Sequence, residues 1–501
     1  MVHQHIGTHL VDVARRWRHE RKYHPGNKCK IAAKIALVAI VTLLLWFMPA
    51  EWFGIAGLTV IQQRIIAIFA FATLMWILEI VSSWATSITI IVLMLLFCSD
   101  SGIKPFVNPD EVGSLLSFKS VMACFADPVI MLFIGGFVLA IAATKTGLDA
   151  QLAKVLLKPF GTRSEMVLLG FLLVTGLFSM FVSNTATAAM MLTFLTPVFR
   201  QLPPEGKGRI ALAMSIPVAA NLGGMGTPIG TPPNNIALKY LNDPDDLNMG
   251  LGFGQWMLFM FPLVILLLLI SWRLLLRFFP FSQKRVELKI DGNMQKGFHS
   301  WVVIVTFIIT VLLWLTDRFT GINSNTVAMI PFCIFALTGV INKRDLEQIN
   351  WSVIWMVAGG FALGHGLNAS GLAANAVESI PFGEFSPLLI LLLGGTICYL
   401  LSNFISNSAT AALLMPILAI VCGAMGDKLA PIGGTGTVLI GVAIAASSAM
   451  ILPISTPPNA LAFATGYVKQ GDMAKVGIIM GIISMILGFA LVYAMGTLHI
   501  I

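Results

Sequence analysis

The sequence predicts an all-α membrane protein of about eleven spans arranged as two inverted halves, and three observations carry that expectation. First, 57% of the 501 residues are hydrophobic and only 11% are charged, with a mean hydropathy of +0.88, a balance that cannot be covered by polar surface in water. Second, polar strings recur at near-constant spacing. Ser-Asn-Thr-Ala-Thr-Ala-Ala at Ser183–Ala189 returns as Ser-Asn-Ser-Ala-Thr-Ala-Ala at Ser406–Ala412, 223 residues on; Thr-Pro-Pro-Asn at Thr231–Asn234 returns at Thr456–Asn459, 225 residues on; Gly-Gly-Phe at Gly135–Phe137 returns at Gly359–Phe361, 224 residues on. Third, the first Ser-Asn string is flanked by Arg163, Arg200, Lys207 and Arg209, the second by Glu378, Glu384 and Asp427 beside Lys428. Lys and Arg near span ends are retained in the cytoplasm, so the first string starts and ends inside and the second outside.

The spans follow from apolar runs near the roughly 20 residues that cross roughly 30 Å of hydrocarbon. They are expected near Ile31–Pro49, Ile61–Ile80, Ala85–Cys98, Pro128–Leu157, Ile210–Leu241, Gln255–Phe279, Trp301–Thr316, Thr326–Ile341, Trp351–Ala374, Thr435–Val468 and Val476–Leu498. The run from Pro128 to Leu157 contains Lys145, Asp149 and Lys154 and is expected to leave the membrane and continue along its surface. Five full spans lie between Ile61 and Phe279 and five between Trp301 and Leu498, an odd number that inverts the second copy.

Organisation follows from charge. Residues 1–30 form a basic arm with Arg15, Arg16, Arg18, Arg21, Lys22, Lys28 and Lys30, which holds the N-terminus inside. The first apolar run has no small-residue cleavage site after it and is read as its own insertion signal. A first half (31–280) and a second (300–501) are joined by a cytoplasmic connector (281–299) with Lys284, Arg285 and Lys289, preceded by Arg273 and Arg277. The acidic loop with Asp243, Asp245 and Asp246 falls outside, as does the C-terminus, in a plasma (inner) membrane. This bias accounts for most of the net charge of +8, which gives no ground for a nucleic-acid partner.

The two Ser-Asn strings are expected at the tips of re-entrant hairpins, an inner one over about 165–200 and an outer one over about 385–424. Glu165 to Arg200 is 36 residues, short for two crossings and a turn, and the turn has no charged or aromatic interfacial anchor. Irregular backbone at membrane depth needs protein or a water-filled cavity to satisfy it, so the tips should reach a central site.

Ser, Asn and Thr are strong helix N-caps, and Pro suits the first helical position, so each of the four strings is expected to open a helix. Four converging N-termini, each with free N–H groups and about +0.5 elementary charge, make an anion site without Lys or Arg. On the other side of each break, carbonyls and Ser or Asn oxygens form a hard cage suited to sodium. Any one string alone is more simply a cap or a kink; their joint recurrence is what packing does not require. The scattered cysteines Cys29, Cys98, Cys124, Cys333, Cys398 and Cys422 read as small core residues. Glu79, Lys145 and His365 stand isolated in sequence, so neither a nucleophile–base pair nor a metal cluster suggests an enzyme.

The paired tips, each followed by a Gly/Thr/Pro break, resemble the divalent anion/sodium symporter family, also called the sodium/dicarboxylate or sodium/sulfate family. The resemblance runs from about Ile31 to the C-terminus and includes Ser447–Asn459, where Met450 stands in place of the family's Phe. It implies a homodimer in the lipid bilayer, with scaffold and mobile transport domains working as an elevator. It implies one sodium site at Ser179, Ser183, Asn184 and the Gly230 carbonyl, and a second at Ser402, the Ile405 carbonyl, Asn407 and Ser455. Substrate carboxylates would meet Asn184, Thr185, Asn407 and Ser408, with Thr231, Thr456 and Pro457 nearby. Ser408 departs from the family's Thr, keeping the hydroxyl but losing a methyl, which bears on selectivity. The matching serines Ser179 and Ser402 favour symport. The expectation is sodium-coupled uptake of a four-carbon dicarboxylate such as succinate, malate or fumarate; sodium-independent dicarboxylate exchange and sulfate-type carriage are the alternatives.

Overall fold

The computed structural model describes residues 27–498 apart from 56, 108–113, 204–205, 244–246, 288–293, 373–374 and 376–385. The arm as far as residue 26, and the topology charges Asp245, Asp246, Lys289, Glu378 and Glu384, lie outside the described residues.

Apolar sequence with few strand-favouring turns yields helices, and among the described residues there is no strand, only the isolated bridges Ser99–Leu116 and Arg163–Arg285. The first half contains α1 (Asn27–Phe47), α2 (Val60–Leu78), α3 (Ser83–Phe97), α4 (Pro128–Thr146), α5 (Leu148–Leu157), α6 (Ser164–Ser179), α7 (Asn184–Gln201), α8 (Gly208–Gly224), α9 (Pro232–Leu241) and α10 (Phe253–Phe278). The second contains α11 (Phe298–Leu315), α12 (Ser324–Leu337), α13 (Trp351–Ala369), α14 (Pro387–Phe404), α15 (Asn407–Met425), α16 (Gly434–Ser447), α17 (Pro457–Ala464) and α18 (Gln470–Thr497). Shorter helical segments lie between them, among them Phe118–Ala123 and Gly426–Ile432.

Among the described residues, seven helical stretches are long and apolar enough to cross a membrane: Val60–Leu78, Phe118–Thr146, Phe253–Phe278, Phe298–Leu315, Pro387–Phe404, Asn407–Ile432 and Gln470–Thr497. Five more apolar helices, including α3, α6 and α16, are shorter. The runs Ile210–Leu241 and Thr435–Val468, continuous in hydropathy, are each two helices separated by a break, and Pro128–Leu157 is divided at Gly147, whose φ of 72° closes α4 in a left-handed cap. At 1.5 Å per residue the 16 residues of α6 span only about 24 Å, while α14 and α15, with 18 and 19 residues, approach a full crossing. α1 and α11 expose apolar side chains such as Ile40, Leu44, Phe47, Val305, Ile308 and Leu312, as helix faces against lipid do.

The halves pair element for element, with partners exchanged. α6 packs on α8 as α14 packs on α16, and α2 on α3 as α11 on α12. Across the halves, α3 packs on α13 and its counterpart α12 on α4; α7 packs on α17 and its counterpart α15 on α9. The repeated Gly-Gly marks the first of these crossings. A Cβ on Gly135 would run into the Ala328 carbonyl of α12, and one on Gly359 into Ser87 of α3, whose hydroxyl donates to Met356 O at 3.3 Å. Gly135→Ala is therefore expected to destabilise the purified protein by about 1–3 kcal/mol, read as a fall in melting temperature. Gly136→Ala should be tolerated, because its Cβ would meet only the Ile229 side chain at 3.5 Å.

Two polar ties hold the ends. Lys145, isolated in sequence, pairs with Asp345 at 2.6 Å and donates to Val340 O at 2.8 Å, joining α4 to the turn after α12. Partial burial works to raise the Asp345 carboxyl, but the bonds from Lys145 and the Asn342 N–H and the Lys145 charge hold it below its ordinary range. A depressed carboxylate stabilises the fold above its unfolded pKa and loses that contribution as pH falls through its folded value. The thermal difference between wild type and Asp345→Asn is thus expected at neutral pH and should close on acidification below the ordinary carboxylate range. The connector forms the second tie: Ser164 N donates to Lys284 O at 3.1 Å, Val286 N to Thr162 O at 2.8 Å, and Gln201 exchanges two 2.9 Å bonds with the backbone of Glu287. Both ends of the α6–α7 pair are thereby bound to one segment.

Candidate functional site

All four repeated strings open helices. Ser183 caps α7, accepting from Ala186 N at 3.3 Å, and Ser406 caps α15, accepting from Ala409 N at 3.2 Å. Thr231 and Thr456 precede α9 and α17 in extended conformation, each followed by Pro-Pro. Thr456 accepts from Asn459 N at 3.3 Å, whereas Thr231 makes no side-chain cap bond. The reason for these starts is local: the cap oxygen satisfies an N–H that the first turn leaves open, and proline has no N–H to leave.

In the first half the break folds back onto the tip. An ideal Cβ on Gly224 would lie 2.8 Å from Asn184 Oδ1 and 3.1 Å from Gly230 O, so only glycine leaves room for the amide there. Ser179 Oγ lies 2.6 Å from Asn184 Oδ1 and 2.8 Å from Ala220 O. A serine has one proton for these two acceptors, so the cluster is richer in oxygen than in donors. The structure thus brings Ser179, Asn184 and Gly230 together. Ser183 stands at the same tip with one lone pair engaged as the cap.

In the second half, Ser402 Oγ and Asn407 Oδ1 are both buried without a hydrogen-bond partner. The Cys398 thiol, one turn earlier, is close enough to interact with Ser402, but directs its own weak bond to Val442 O at 3.6 Å. Burying an oxygen unpaired costs about 1–3 kcal/mol, a deficit that coordination to a cation would remove. Ile405 is extended (φ −113°, ψ 167°), which takes its carbonyl out of line with both helices. Ser455 is tied more firmly: it donates to Asn403 O at 2.9 Å and accepts from Leu452 N at 3.0 Å. Neutral oxygens from serine, asparagine and backbone suit a monovalent hard cation, and among the described residues no His/Cys/Asp/Glu group is built for a transition metal.

The residues read as substrate contacts divide by exposure. Thr185 and Pro457 are exposed and Ser408 is half-buried, while Thr231 and Thr456 are buried.

Sequence reading missed the asparagines that stitch the breaks. Asn234 Nδ2 faces the carbonyls of Gly224, Met225 and Thr227 at 2.8–3.2 Å, and Asn459 Nδ2 those of Met450 and Leu452 at 2.8 and 3.0 Å. Both end the repeated Thr-Pro-Pro-Asn, so a signal existed. Asn221 and Asn403 have no counterpart in the other half and gave none. Asn403 Oδ1 accepts from Ile451 N at 2.9 Å, and Asn221 Nδ2 lies 3.2 Å from Thr456 Oγ1 and from Asn459 Oδ1. Through Ser179, Ala220, Asn221, Thr456, Ser455 and Asn403, polar contacts and short backbone steps lead from one tip to the other.

Fold and site define an integral membrane protein built from two partner-exchanging halves around four helix openings. The family model described as "Sodium:sulfate symporter transmembrane region" matches residues 28–499, and the chain belongs to that family. It is 30% identical over 467 residues to the sodium-dependent dicarboxylate transporter SdcS of Staphylococcus saprophyticus, covering 86% of this chain and 85% of that protein. To SdcS of Staphylococcus aureus it is 30% identical over 497 residues, covering 91% and 89%. Its fold resembles the YdaH transporter of Alcanivorax borkumensis (TM-score 0.55, 14% identity, 83% of this chain and 98% of that one) and MtrF of Neisseria gonorrhoeae (TM-score 0.52, 12% identity, 82% and 94%).

Proposed function

We propose that this protein is a sodium-coupled symporter that carries a small dicarboxylate, of the succinate, malate or fumarate type, into the cytoplasm. One observation supports this most: at the first tip Ser179, Asn184 and Gly230 gather as an oxygen-rich cluster, and at the second the Ser402 and Asn407 side-chain oxygens are each buried without a partner. The names of the relatives agree with it.

Each tip asparagine has one amide oxygen and two N–H donors, so it can turn Oδ1 to a cation and Nδ2 to a carboxylate. Ser179, Ser183, Asn184 and Gly230 O would hold one sodium ion, and Ser402, Ile405 O, Asn407 and Ser455 the other. A bound cation would supply positive charge and fix the amide's orientation. Asn184, Thr185, Asn407 and Ser408 then present donors to the two carboxylates, with Thr231, Thr456 and the exposed Pro457 completing the openings. The four helix N-termini add their N–H groups, which favour a dianion without requiring Lys or Arg. Each net positive charge carried inward draws about 2.3 kcal/mol per 100 mV.

An elevator motion is part of this proposal: α6–α9 interlock with α14–α17, and α3 and α4 with α13 and α12, the two sets meeting where α13 packs on α15. In this reading α6–α7 and α14–α15 are re-entrant hairpins, the N-terminus is cytoplasmic, the C-terminus external, the membrane is the plasma (inner) membrane, and two copies form a dimer. In proteoliposomes, labelled succinate uptake should collapse when external sodium is replaced by potassium. Uptake that persists and depends on internal dicarboxylate would replace symport with exchange.

A further inference from the structure

The four helix openings are not chemically equivalent, and Asn221 is the reason. Asn459 directs both N–H groups of its side chain to the carbonyls of Met450 and Leu452, which fixes its Oδ1 toward Asn221. Asn221 must then present Nδ2, because its oxygen would repel that of Asn459; one N–H goes to Asn459 Oδ1 and the other to Thr456 Oγ1, each at 3.2 Å. Thr456 Oγ1 also accepts from Asn459 N at 3.3 Å. Both lone pairs of that hydroxyl are occupied, so it can act only as a donor, and none of the described residues accepts its proton.

The first half lacks this device. The residue thirteen positions before Asn459 is Ala446, where Asn221 stands thirteen before Asn234. Accordingly Asn234 Oδ1 is fully buried without a donor and Thr231 accepts no cap bond, leaving its hydroxyl free to rotate.

We infer that Asn221 is a positioning residue: it commits the Thr456 hydroxyl to donating its proton to a substrate carboxylate, so that one end of the dianion meets a fixed donor and the other an adaptable one. The inference rests on the functional reading above. Asn221 does not touch the substrate in this account; it acts by removing the acceptor option from Thr456.

The test uses the full-length purified protein, with labelled succinate binding at saturating sodium and, separately, the thermal stabilisation produced by sodium alone. Asn221→Ala is expected to weaken succinate binding about tenfold, the scale of one hydrogen bond to a charged group, and to leave stabilisation by sodium alone as in wild type. Thr456→Val should weaken succinate binding similarly, Thr456→Ser should retain it, and Asn221→Ala added to Thr456→Val should cost nothing further. A wild-type affinity in Asn221→Ala, full additivity in the double variant, or equal loss of sodium stabilisation would overturn the inference. Should Asn221→Ala not fold, the Thr456→Val and Thr456→Ser pair decides: wild-type affinity in Thr456→Val contradicts a committed donor. Absence of succinate binding in wild type would instead sink the functional reading and this inference with it.

Discussion

Asn407→Ala is expected to lower sodium-dependent succinate uptake by at least about 100-fold. The side chain is asked to do two things at once. Its Oδ1 is buried without a donor, as is the Ser402 hydroxyl, and its Nδ2 is free to meet a carboxylate. Hydrogen bonds to charged partners are worth about 1.5–3 kcal/mol each, so losing both on one side chain reaches that magnitude. Asn407→Asp separates the roles. It keeps an oxygen for the cation but replaces the donor with a negative charge, so sodium alone should still raise the melting temperature while succinate binding disappears. An aspartate variant that binds succinate normally would remove Asn407 from the anion site.

The second large effect is expected from one methyl group. In Gly224→Ala the new Cβ would sit 2.8 Å from Asn184 Oδ1 and 3.0 Å from Nδ2, closer than side chains tolerate, with the backbone carbonyl of Gly230 also crowded at 3.1 Å. The Asn184 amide must then leave Ser179. Apparent sodium affinity in uptake is expected to fall at least about tenfold, with the protein still folded, because the displaced group is a side chain at a half-buried tip. Gly423→Ala on α15 is the control: a Cβ there meets nothing within 4 Å, so its sodium dependence should match wild type. Equal sodium affinity in the two variants would mean that Asn184 is not a ligand.

Much of this was legible in the chain because the relevant signals are local. Composition fixes the solvent, cap chemistry opens the four helices, and duplication places those openings in matched positions. The Gly-Gly repeat was visible as a repeat but not as a crossing, since the groups that forbid a side chain at Gly135 and Gly359 come from Ala328 and Ser87, far away in sequence. Lys145 looked solitary for the same reason, its partner Asp345 lying in the other half. Hydropathy ran straight through Ile210–Leu241 because the broken segment is itself buried; only its Gly, Thr and Pro content signalled a break. Asn221 and Asn403 were illegible because symmetry was the guide, and they are where the halves differ.

If the proposed function holds, the two tips form one site in which cation and dianion are bound together. Equilibrium binding of labelled succinate to the purified protein, titrated with sodium and compared with potassium, tests it most directly when run on wild type, Asn184→Ala and Asn407→Ala. Binding in wild type should appear only with sodium and be lost in each single variant. Binding that ignores the cation, or survives the loss of either asparagine, would contradict it.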